Sequence, residues 1–89
     1  AYTNANANAS FKRTLTVGST GTDVKALQMY LNAHGFTIAA SGPGAPGNET
    51  TKFGKATKAA LAKWQASVGI FPASGSFGAK TRAYIAAHP

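Results

Sequence analysis

The phrase Phe-Gly-x-x-Thr occurs twice in this chain, as Phe53-Gly54-Lys55-Ala56-Thr57 and as Phe77-Gly78-Ala79-Lys80-Thr81, 24 residues apart. In both copies an aliphatic residue, Leu61 or Ile85, stands four residues after the threonine, so the two share a helical face. A phrase repeated with its downstream pattern points to one supersecondary unit used twice. Each residue type has a physical role in launching a helix. The phenylalanine anchors the incoming chain on a core, the glycine permits a sharp turn, and the threonine opens the first helical turn, where its hydroxyl can meet backbone groups. The helix ends correspond as well, because Leu27-x-x-Tyr30 ahead of Gly35-Phe36 parallels Leu61-x-x-Trp64 ahead of Gly69-Ile70.

Apolar spacing predicts three helices. Val24, Leu27 and Leu31, with Tyr30 beside them, recur at helical intervals over Thr22 to His34. Gly21-Thr22-Asp23 offers capping residues at the start, and Gly35 offers a stop that accepts positive φ. Ala60, Leu61, Trp64 and Val68 mark one face of a second helix over Lys55 to Val68, which Gly69 ends. A shorter third spans Ala79 to Ala87, with Thr81, Tyr84 and Ile85 on one side and His88 just beyond. Helices of this length are marginal alone and must share their apolar faces. Ala39 to Lys52 is rich in Gly, Pro, Ser, Asn and Thr and reads as a flexible loop. Phe36-Thr37-Ile38 and the residues near Phe53 and Phe77 could add short extended pieces, including a minor β-hairpin. The expected fold class is mostly α, a compact three-helix domain.

At 89 residues the chain suffices for one domain, and a chain this short buries only about 60% of its unfolded surface. It has no cysteine, so neither disulfides nor a thiolate zinc site can support a thin core. Ala1 to Ser10 alternates Asn and Ala with no apolar face and reads as a linker ahead of a domain over residues 11–89, which suggests a module carried within a longer protein. No run approaches the length of a membrane span, and any targeting signal is expected outside this stretch. Nine Lys and Arg against two acids, Asp23 and Glu49, give a formal charge of +7, which attracts polyanions. The basic residues are spread from Lys12 to Arg82 without a dense run, which disfavours the alternative of a three-helix nucleic-acid binder.

Taken together, Leu15, Gly18, Gly21, Val24, Leu27-Gln28, Leu31 and Gly35, then Phe53-Gly54, Thr57, Leu61, Trp64-Gln65 and Gly69-Ile70, then Gly75, Phe77-Gly78, Thr81 and Ile85 resemble the peptidoglycan-binding domain family. The resemblance implies a helical bundle of two related halves that binds bacterial wall glycan or its peptide stems, performs no chemistry and needs no cofactor; the expected setting is extracellular, at the cell wall or in the periplasm, and the expected state a monomer. Two departures stand out. The first half inserts Ala39 to Lys52 where the family closes with a short Asp-Gly-x-Phe-Gly turn, and the second turn carries Ser74 where the family often has Asp. Ligand contacts are therefore expected around these turns, from Asn48, Thr50 and Lys52 in the first and Ser74 and Ser76 in the second. Lys80 and Arg82 beside Thr81 supply cations near the same groove, and Tyr84 a partly exposed aromatic.

Other conspicuous residues have plainer roles. Trp64 and Tyr30 lie on or beside apolar stripes and are expected in the core. Gln28 and Gln65 are expected to bond loop backbone, because an unpaired amide near a core costs roughly 1–3 kcal/mol. Lys55, Lys58 and Lys63 fall away from the Trp64 face and read as a solvated surface. His34, His88 and Asp23 match no metal-ligand spacing. Two acids, one at a helix start and one in a loop, leave no pair for glycosidase chemistry and no catalytic triad.

Overall fold

The computed structural model describes residues 11–87; the expected linker Ala1 to Ser10 and the histidine at 88 lie outside them. Among these residues three helices form, α1 over Thr22–Ala33, α2 over Lys55–Ser67 and α3 over Ala79–Ala87. The first two stop one residue short of the spans read from periodicity, with His34 and Val68 as C-caps. Both end in the same way. Gly35 N–H donates to Asn32 O and Phe36 N–H to Leu31 O, and likewise Gly69 N–H to Ala66 O and Ile70 N–H to Gln65 O. This paired closure satisfies terminal carbonyls and needs a residue in the left-handed region, which glycine supplies.

The apolar stripes meet in one core. Leu15, Val24, Leu27, Leu31, Leu61 and Phe77 are fully enclosed, and Trp64, Phe53 and Ile85 nearly so. Trp64 and Tyr30 are core residues, meeting edge to face at 5.6 Å. The ring of Phe11 leans on Phe77 at 4.7 Å and extends the core toward the N-terminal side.

The expected hairpin does not form, and the described residues hold no strand. Instead both Phe-Gly turns attach to one extended segment ahead of α1. Leu15 exchanges two backbone hydrogen bonds with Phe77, at 3.0 and 2.8 Å, while Gly18, Ser19 and Gly21 pair with Phe53 and Thr51. The extended residues near Phe53 and Phe77 thus find a shared third partner. Arg13 fastens the same segment to α1 through a 2.8 Å ion pair with Asp23 and a bond to Thr20 O.

Two further expectations are corrected. The hydroxyls of Thr57 and Thr81, expected to meet backbone groups, meet side-chain amides instead. Both are buried and accept hydrogen bonds from the glutamines of the preceding helices, at 3.0 Å each. The loop over Ala39 to Lys52 is built rather than floppy. Asn32 on α1 donates to Gly44 O and to the Glu49 carboxylate and accepts from Ile38 N–H, while Ile38 just ahead of the loop and Ala45 within it are buried.

Candidate functional site

The glutamines organise everything near the two turns. Gln28 donates to Thr57 Oγ1 at 3.0 Å and to Lys52 O at 2.9 Å, and accepts from Thr50 N–H at 2.7 Å. Gln65 donates to Thr81 Oγ1 at 3.0 Å and to Ser76 O at 2.8 Å, and accepts from Gly75 N–H at 2.9 Å. Each buried amide therefore joins a helix, the turn ahead of the next helix, and that helix's first turn. Low local dielectric strengthens such bonds and makes any orphaned partner costly. Among the described residues no buried side-chain polar atom lacks a hydrogen bond.

The turns themselves share a side-chain device. Thr50 Oγ1 accepts from Lys52 N–H at 3.2 Å, and Ser74 Oγ accepts from Ser76 N–H at 3.3 Å. A hydroxyl three residues before the phenylalanine thus closes each turn from within.

Beside the second turn lies a cavity of about 260 Å³. Ile70, Phe71 and Pro72 line it from the segment after α2, and Ala79 and Lys80 from the start of α3. The buried Gln65 and Thr81 form its back, with Ser74 and Ser76 near its opening. Phe71 is 60% exposed, a large value for an aromatic ring. The Lys80 ammonium donates to Phe71 O at 3.2 Å and bridges the two sides.

Of the residues singled out in the sequence, Ser74, Ser76 and Lys80 come together here. The others do not line this cavity. Thr50 and Lys52 serve the first turn through Gln28, Asn48 closes the loop by backbone bonds to Gly44 and Ala45, and Arg82 reaches Thr14 Oγ1 at 3.3 Å. Tyr84 is half-buried edge-on against Trp64 at 5.4 Å. Sequence reasoning missed Ile70, Phe71 and Pro72. A signal was present, since Phe71-Pro72 places an aromatic ring just beyond the helix stop at Gly69, outside every apolar stripe.

With this geometry in place, the comparison with known families decides the identity. Residues 20–85 match the sequence profile of the peptidoglycan binding domain family. The chain belongs to that family. No curated protein and no solved structure matches it. The match covers α1, α2, both Phe-Gly turns and α3 as far as Ile85, so the peptidoglycan-binding fold here is the three-helix bundle just described.

Electrostatics add a cationic surface to this peptidoglycan-binding domain. Asp23 is held below its ordinary carboxylate value, chiefly by the hydrogen bond from Arg13, and Glu49 receives Asn32 and Gly47 N–H. Both acids are thus engaged within the fold, while Lys25, Lys52, Lys55, Lys58, Lys63 and Lys80 are exposed. Burial raises the Tyr30 phenol, with Tyr84 nearby as the lesser cause. A second crevice of about 410 Å³ runs between Phe36 to Ile38 and the Ala56, Ala59 and Lys63 side of α2. Among the described residues no group of three or more His, Cys, Asp or Glu could hold a metal, and no helix is long and apolar enough to cross a membrane.

Proposed function

We propose that this chain is a non-catalytic module that binds peptidoglycan outside the cell and holds an attached enzyme or surface protein at the wall. The family match over residues 20–85 carries this reading. Two features support it. The two acids are engaged in structure, Asp23 with Arg13 and Glu49 with Asn32. The exposed lysines favour a wall rich in anionic polymers.

The test is co-sedimentation with purified sacculi, before and after anionic polymers are stripped, alongside duplex DNA at matched salt. The module is expected in the sacculus pellet in both preparations, with less bound after stripping and no soluble fragments released. Retention on duplex DNA alone, falling steeply with salt, would sink this reading in favour of a nucleic-acid binder.

A further inference from the structure

We infer that the cavity beside Phe71 is a subsite for an N-acetylated hexopyranose, so that the module grips the glycan strand rather than the peptide stem; this rests on the peptidoglycan-binding reading above. The cavity, about 260 Å³ and open to solvent, sets the exposed Phe71 ring beside an apolar lining of Ile70, Pro72 and Ala79. A pyranose offers the complement, an apolar C–H face to lay on the ring and an acetamido methyl to rest against the neighbouring aliphatic lining.

The polar groups select the same ligand. At the back, Gln65 already uses both amide protons and its carbonyl, the Gly75 N–H donates to that carbonyl, and the Ser76 N–H donates to Ser74 Oγ within the turn. Spare hydrogen-bonding capacity lies at the opening, in the hydroxyls of Ser74 and Ser76 and the remaining protons of Lys80. That arrangement suits sugar hydroxyls and an acetamide carbonyl. A stem peptide brings carboxylates, which are costly to desolvate against apolar walls, and Lys80 is the one cation lining this cavity.

The probe is the β-1,4-linked tetramer of N-acetylglucosamine, titrated into the ¹⁵N-labelled chain in parallel with a synthetic stem tetrapeptide. The tetramer is expected to shift the amide resonances of Ile70, Phe71, Ser74, Ser76 and Lys80. Phe71→Ala should weaken it about tenfold with an unchanged melting temperature, and Phe71→Trp should restore binding. Lys63→Ala, at the crevice beside Phe36, should bind as the parent does. Tetramer shifts elsewhere, or an undiminished Phe71→Ala, overturn the inference, as do shifts at these residues from the tetrapeptide alone. Sedimentation with sacculi but no tetramer binding overturns the subsite and leaves the wall-binding reading standing. Failure of both overturns both.

Discussion

The turn before Phe53 and the turn before Phe77 are fastened by the same kinds of bond, yet their glutamines take hold one residue apart. Gln28 accepts from Thr50, three residues before its phenylalanine, and Gln65 accepts from Gly75, two before. The connections explain the difference. Seventeen residues separate Gly35 from Phe53, against seven between Gly69 and Phe77. The short connection must pass tightly under α2, where Gly75 has φ +81° and an added Cβ would sit 2.6 Å from Lys58 O. The long one has slack enough for Thr51 to avoid a left-handed conformation. It is stabilised instead by α1, which runs about one turn further past its glutamine than α2 does and there presents Asn32 to the loop. A single clasp thus tolerates very different lengths of chain, with the strain placed where the chain is shortest.

The sharpest way to break this comparison is substitution at the two residues that precede each phenylalanine by two. Gly75→Ala should cost about 3 kcal/mol or more from backbone strain and the clash with Lys58, whereas Thr51→Ala should stay within about 0.5 kcal/mol, both read by urea unfolding. Equal losses would mean that the turns are equally constrained. Gln28→Leu and Gln65→Leu come next, at about 2 kcal/mol each, because each leaves a buried threonine hydroxyl, a carbonyl and an N–H without a partner. Hydrogen exchange should then speed up at Thr50 in the first variant and at Gly75 in the second; acceleration at both in either variant would show that the clasps are one unit.

The smallest effect concerns the ion pair ahead of α1. Because Asp23 titrates below its ordinary value of 3.8 when folded, its contribution is complete above that pH and fades as pH falls through the folded value. Asp23→Asn should therefore lower the melting temperature slightly at pH 7 and leave a shallower acid decline than the parent; parallel melting curves from pH 6 to pH 2.5 would remove the pair from the account. Salt should also weaken it, since Arg13 is exposed.

Much of the fold was legible because helices advertise themselves locally. The period of Val24, Leu27 and Leu31, and of Leu61, Trp64 and Val68, located α1 and α2 to within a residue. What escaped was tertiary. Thr57 and Thr81 sit in the first turn of their helices, and only packing shows that their hydroxyls face a glutamine from another helix. Likewise Asn32 reads as a solvated helix residue until the loop folds over it. The candidate site was half legible. Ser74, Ser76 and Lys80 were marked by the turn and the helix start, but Phe71 has no period to betray it, and exposure cannot be inferred from a residue whose type argues for burial.

The exchange of backbone bonds between Leu15 and Phe77 sets an order of events for the chain as it is made. As the chain emerges from a ribosome or an export pore with its N-terminus first, the backbone of Leu15 has no partner until Phe77 has followed. Such closure over long sequence separation is slow to form and leaves apolar surface uncovered in the meantime. A nascent chain halted anywhere before Phe77 is therefore expected to remain open and protease-sensitive, and the module closes only when its last helix arrives.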